Sequence, residues 1–265
     1  MSKSPFGIEN TVNRIKMHML GNTRFHEKII LIEGPSDANF YSGMFTNTVH
    51  TRAMYSRETV VNACKLLQDE QYPCYGIVDF DYYWFHSELD SEPSNVLVLD
   101  ENNLESFVLF DAPTFESWNH SGELEVLSNI TQCAKLLGIF RCISHAFDKK
   151  WRFKPDGESN NSVYHLRPEI RRMFSQNETR SPAVFLMDLL NLYEFSQFEF
   201  DALETQILKT PNYNMSRLIN GKDLDIFLSI SNRPNVFKNA VNGFDLEKFR
   251  NSTLGIRLEP LGVLA

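Results

Sequence analysis

The sequence has no apolar run long enough to cross a membrane, no Cys-x-x-Cys pair, no His-Glu-x-x-His and no Gly-x-x-x-x-Gly-Lys-[Ser/Thr] loop. The first absence excludes a spanning helix, which needs about 20 consecutive, mainly apolar residues. The second and third remove the common zinc patterns. The fourth means that any nucleotide hydrolysis has to be supplied by another subunit. Cysteines are few, and Cys64, Cys74, Cys133 and Cys142 are too sparse for a disulfide scaffold, so they are expected to be reduced thiols in the core. The opening MSKSPFGIEN lacks the apolar centre of a signal peptide. The expected location is therefore the cytoplasm, and the Asn-x-Ser/Thr triplets at Asn119 and Asn129 are read as chance matches. Positive charge is also short: 26 Lys and Arg against 34 Asp and Glu in 265 residues leave a net charge of −8. That excludes generic coating of DNA or anionic membrane, which depends on a cationic surface. Nucleic-acid contact has to be local.

Against these absences, 42% of the residues are hydrophobic, enough for a substantial core. The segment TVNRIKMHML repeats Val12, Ile15 and Met19 at helical spacing, and KIILIEG is a β-branched run stopped by glycine. Ser36 is placed to cap a helix over DANFYSGMF. HTRAMYS reads as a short strand, and RETVVNACKLLQDEQ as a helix with Val60, Ala63, Cys64 and Leu67 on one stripe. CYGIVDF is a strand apolar on both faces, and a further strand, NVLVLD, leads into NNLESFVLF, a short helix or turn. Alternating strands and helices of this kind predict an α/β fold with a parallel sheet flanked by helices. After about residue 112 strand patterns stop. Helical spacing returns over Glu123–Phe147, MDLLNLYEF and DALETQIL, with an exposed loop expected at RFKPDGESNNS. The expected organisation is a helical leader over 1–24, an α/β domain over 25–115 and a mainly helical C-terminal region over 116–265.

In an open parallel sheet, ligands bind beyond the carboxyl ends of the strands. Acidic residues fall at three such ends: Glu33 after KIILI, Asp79 and Asp81 after GIV, and Asp100 after NVLVL. Burying an unpaired carboxylate costs several kcal/mol, so these groups need something to neutralise them. A divalent cation is one candidate, and carboxylate oxygens are what Mg²⁺ or Mn²⁺ prefers. Asp37 lies four residues beyond Glu33 in the first turn of the next helix, and Gly34 has no side chain to obstruct an approaching phosphate or metal.

IEGPSD followed by IVDFD resembles the Toprim fold, marked by a glutamate after its first strand and an Asp-x-Asp after its third. The chain is most similar to the OLD-like and AriB-like Toprim nucleases, whose acidic D-x-N-x-x-E segment is matched here by Asp100, Asn102 and Glu105. A G-[HK]-D-L segment of that branch is matched by Gly221, Lys222, Asp223 and Leu224. The resemblance implies a Toprim, Rossmann-like sheet with Glu33, Asp79 and Asp81 as ligands of Mg²⁺ or Mn²⁺ and Asp37 and Glu105 in supporting acidic roles. Lys222 would stabilise negative charge on phosphate, with a surface lysine as the competing reading. Asp223 is read either in that site or as the cap of the helix LDIFLSI. The implied activity is hydrolysis of nucleic-acid phosphodiesters, with RNA such as tRNA among the allowed substrates. The implied role is that of an effector of bacterial anti-phage defence of the PARIS kind, working with an ABC-type ATPase like AriA. A homodimer is among the assemblies this reading allows. The competing reading is a non-catalytic Toprim-fold subunit that regulates or docks on such an ATPase.

One segment departs from the acidic background. Between Phe140 and Arg180 nine Lys or Arg face five acids, a local excess of four positive charges that leaves twelve negative for the remainder. An ordinary solvated face is one reading. The other is a phosphate-tracking strip drawn from Arg141, Lys149, Lys150, Arg152, Lys154, Arg167, Arg171, Arg172 and Arg180, with Lys149, Lys150, Arg152, Lys154, Arg171 and Arg172 as its candidate contacts and Trp151 and Phe153 interleaved for base stacking. Tyr82, Tyr83 and Trp84 are alternative stacking residues or core aromatics.

Overall fold

The structure is a computed structural model that describes residues 7–21, 28–81, 92–111, 124–146, 170, 181–210, 213–230 and 236–265. Among the described residues the order of elements begins α1 (Ile8–Gly21), β1 (Lys28–Ile32), α2 (Pro35–Ser42), β2 (Val49–Ala53), α3 (Arg57–Asp69), β3 (Cys74–Val78), β4 (Val96–Val98) and α4 (Leu104–Asp111). It continues with α5 (Leu124–Ala146), α6 (Pro182–Leu192), α7 (Gln197–Leu208), α8 (Met215–Leu218), α9 (Gly221–Ile230), α10 (Val236–Asn242), α11 (Leu246–Asn251) and α12 (Thr253–Leu258). The four strands form one all-parallel sheet in the order β2-β1-β3-β4, so the expected α/β architecture is present.

The chain divides into two compact units. One comprises Met1–Phe80, Glu88–Asp100 and Val241–Ala265, and the other Asp81–Ser87 and Glu101–Ala240. Hydrophobic periodicity reports a helix's own buried face but not the layer that face will meet, so the return of the last helices to the sheet was invisible in the sequence.

In the sheet unit, β1 is a central strand and reads KIILI because both faces are covered. Ile29 and Leu31 join a core with Val12 and Ile15 of α1 and Val60, Ala63, Cys64 and Leu67 of α3. The expected leader helix α1 is thus part of this core, with Lys16 pairing to Glu70 beside it. Tyr41 of α2 and Phe45 instead pack with Phe249 of α11, and Phe40 adds to the cluster against Phe244. The chain end closes on the same unit: Leu264 bridges to Phe45, and the Lys28 ammonium donates to the Leu261 carbonyl at 2.5 Å. Helix α3 begins as its sequence directs, with the Ser56 hydroxyl accepting from Thr59 N–H at 3.2 Å, a cap worth about 1 kcal/mol. Helix α2 does not. It starts at Pro35 with Gly34 as its cap, which leaves Ser36 inside the first turn and corrects the expected capping role. Proline already has the helical φ and lacks the N–H a cap would serve, so the helix starts two residues earlier, at Pro35 instead of Asp37.

The second unit is helical, as its spacing predicted. Helix α5 buries Ile130, Cys133, Ala134, Leu137, Phe140 and Ile143, and Phe140 packs against Tyr193 and Phe200. Helix α7 starts at a reciprocal cap in which Ser196 and Glu199 satisfy each other's backbone N–H groups. All four cysteines are free and buried, as expected. No helix among the described residues is long and apolar enough to cross a membrane.

Candidate functional site

The strand order makes the chain leave β1 toward β2 and return past β1 to β3, so the carboxyl ends of β1 and β3 flank a switch point of the sheet. A crevice for ligands opens at such a point. Glu33 follows β1 directly and Asp79 follows β3 directly. The two are tied together, since the Asp79 backbone N–H donates to Glu33 Oε1 at 3.0 Å. Both are half-buried.

Asp37 sits in the first turn of α2, where the positive helix end favours a carboxylate, and is 7% exposed. It accepts from the Ser36 hydroxyl at 3.1 Å and folds back over Gly34. A Cβ at residue 34 would lie 2.7 Å from Asp37 Oδ2, so the missing side chain makes room for this carboxylate. That is a different use of Gly34 from the open approach expected for a phosphate. Asp100 lies two residues past β4 and is half-buried.

The sequence reading missed Arg57. This residue opens α3, where a cation faces the positive end of the helix dipole, and yet it is 8% exposed. Its partners explain it. The guanidinium donates to Glu92 Oε1 at 2.6 and 3.2 Å and to the Asp79 carbonyl at 2.5 Å. Arg57 therefore fixes the backbone of the residue that Glu33 also holds. The available signal was an arginine in a first turn, against the usual charge preference.

In the helical unit, Asp81 adopts a left-handed backbone at φ 49°, a region that Asp tolerates better than most residues. Asn102 clasps it from both sides: Asp81 N–H donates to the Asn102 carbonyl at 2.8 Å, and Asn102 Nδ2 donates to the Asp81 carbonyl at 2.9 Å. The D-x-N-x-x-E segment thus holds the second residue of Asp-x-Asp through its asparagine. Asn103 caps α4, accepting from Ser106 N–H at 3.0 Å, and also accepts from Gly221 N–H at 3.2 Å. Asn220 accepts from Lys222 N–H at 3.0 Å and donates to Asn102 Oδ1 at 3.1 Å. These amides bind the starts of α4 and α9 into one buried polar network.

That network brings Glu105 and Lys222 together, Nζ to Oε1 at 3.6 Å, with the lysine 39% and the glutamate 13% exposed. Asp223 is neither in a charged site of this kind nor a helix cap. It makes a two-pronged buried pair with Arg141, Nε to Oδ2 and Nη2 to Oδ1 both at 2.6 Å. This corrects the phosphate-strip role considered for Arg141, whose guanidinium is committed to a carboxylate. The other strip residues, Lys149, Lys150, Arg152, Lys154, Arg167, Arg171, Arg172 and Arg180, lie outside the described residues, as do Trp151, Phe153, Tyr82, Tyr83, Trp84 and the RFKPDGESNNS loop.

Among the described residues no group of three or more His, Cys, Asp or Glu side chains is placed to hold a metal ion. Mg²⁺ is ordinarily held by one or two carboxylates with waters and substrate phosphates completing its shell. Glu33 and Asp79 fit that oxygen-only demand, and no thiol or imidazole accompanies them to favour zinc. In comparisons with known proteins, no family model, no curated protein and no solved structure matches the chain.

Proposed function

We propose that the protein is a Mg²⁺- or Mn²⁺-dependent nuclease of the Toprim type, with Glu33, Asp79 and Asp81 as metal ligands. The observation that carries the reading is the pairing of Glu33 with the Asp79 backbone at the switch point of a parallel sheet. Bound there, the ion would polarise a phosphodiester, lower the pKa of the attacking water and stabilise the leaving oxygen. Glu33 would position that water or take its proton, a task that needs a carboxylate. Arg57 would hold Asp79 in place through its carbonyl, and Asn102 would do the same for Asp81. Asp37 and Glu105 would support the acidic site, and Lys222 would offset charge on the phosphate.

The same resemblance suggests the setting. The chain carries no phosphate-binding loop of its own, in keeping with an effector held by an ABC-type ATPase partner until an anti-phage response releases it. The deciding experiment incubates the purified chain, alone and with its partner ATPase, with Mg²⁺ or Mn²⁺ and with total cellular RNA and DNA. Wild type should cut one of these polymers, and Glu33→Gln should not, while keeping its fold and its partner. A Glu33→Gln protein that cuts at the wild-type rate would end the nuclease reading. Loss of partner binding with no cleavage to lose would favour the docking subunit.

A further inference from the structure

Tyr55 is held in a conformation that its own chemistry opposes. Its φ is 71°, in the left-handed region that disfavours any residue with a Cβ and bulky ones most. Its ring gains little in exchange, because the residue is 69% exposed. Two neighbours lock it there. The parallel register that pairs Ile32 with Ala53 runs on past the strand ends: Met54 N–H donates to the Ile32 carbonyl at 2.8 Å, and Tyr55 N–H donates to the Glu33 carbonyl at 2.7 Å. On its other side Ser56 is fixed as the cap of α3. Tyr55, an exposed aromatic residue, thus has its backbone one strand spacing, about 5 Å, from that of Glu33. Strained backbone of this kind concentrates at ligand sites, where the surrounding structure over-determines it.

We infer that Tyr55 is a stacking platform for an unpaired nucleobase of single-stranded nucleic acid, setting the adjoining phosphodiester beside Glu33 and Asp79. The inference rests on the nuclease reading for the class of its ligand. Stacking suits this protein because a net charge of −8 gives little general attraction to a polyanion, and every base offers a π-face whatever its sequence. Tyr55 belongs to the binding step, so it should set affinity and KM and not the bond-breaking step.

The test measures fluorescence anisotropy of fluorescein-labelled oligo(U) and oligo(dT) with the intact protein in EDTA, so that nothing is cut. Tyr55→Gly should weaken binding of the preferred oligomer about 5- to 150-fold. Its melting temperature should hold or rise, because glycine adopts this φ without strain. Tyr55→Phe should keep the wild-type affinity, since the ring and not the hydroxyl does the stacking. Equal affinity of Tyr55→Gly and wild type for both oligomers overturns the inference, as does a Tyr55→Phe protein that loses as much as Tyr55→Gly. The two readings fail separately. Wild type that binds through Tyr55 but leaves total cellular RNA and DNA uncut with Mg²⁺, alone and with the partner ATPase, ends the nuclease reading and supports stacking. Cleavage whose KM is unchanged in Tyr55→Gly ends the stacking reading alone.

Discussion

Replacing Asp223 by leucine removes one half of a pair whose side chains are only 6% and 4% exposed, leaving the Arg141 guanidinium of α5 buried without that carboxylate. Both Arg141 donors that meet the carboxylate do so at 2.6 Å, so the loss is of two charge-assisted hydrogen bonds together with the neutralising charge. Breaking such a pair costs about 3–5 kcal/mol, most of it the penalty of an uncompensated buried charge. The reverse change, Arg141→Met, strands a carboxylate instead. That carboxylate lies in the first turn of α9, whose N-terminal dipole offsets roughly 0.3–1 kcal/mol, so Arg141→Met should be the milder of the two. The double variant removes both charges and should recover most of the loss, because apolar replacement of a whole buried pair is often neutral. Urea unfolding followed by circular dichroism reads the three free energies. At about 2–4 °C per kcal/mol for a chain of this size, the melting temperature of Asp223→Leu should fall by about 6–20 °C. A loss below about 1 kcal/mol in Asp223→Leu, or a double variant no better than the worse single one, would refute the reasoning.

Gly221→Ala should destabilise the helical unit sharply: its Cβ would lie 2.6 Å from Glu105 Cβ and closer still to the Ser106 backbone nitrogen, where no flexible side chain can give way. Thermal unfolding checks this, and a melting temperature within a degree of wild type would count against the close approach of α4 and α9. The buried thiols should be inert in the native protein. The Cys74 sulfur 4.0 Å away, together with burial, pushes the Cys64 thiol far above the usual cysteine range, and burial pushes Cys142 up to about 12. The folded chain keeps these protons where the unfolded chain would release them, so both thiols make stability fall as pH rises above 9, with the Cys142 share spent by about 12. Iodoacetamide at pH 8 should label neither thiol until denaturant is added, and rapid native labelling of Cys64 or Cys142 would contradict their burial.

What the sequence determined by itself was local. KIILI and CYGIV announce strands covered on both faces, because only a fully buried strand tolerates so continuous an apolar run. Val60, Ala63, Cys64 and Leu67 announce the buried stripe of α3, and all four are 0% exposed. Glu33 and Asp79 were legible as site candidates because strand ends in a parallel sheet are where such residues converge. The rest depended on contacts between residues far apart in the chain, which no period or cap can encode. Only the tertiary structure joined Phe249 and Leu264 to the sheet, brought Arg57 onto the Asp79 carbonyl and put Asn102 around Asp81. It also took Arg141 out of a cationic run and buried it against Asp223, 82 positions along the chain. A charge run in sequence lists the ions, but docking of helices decides which of them lose their water and must find a partner.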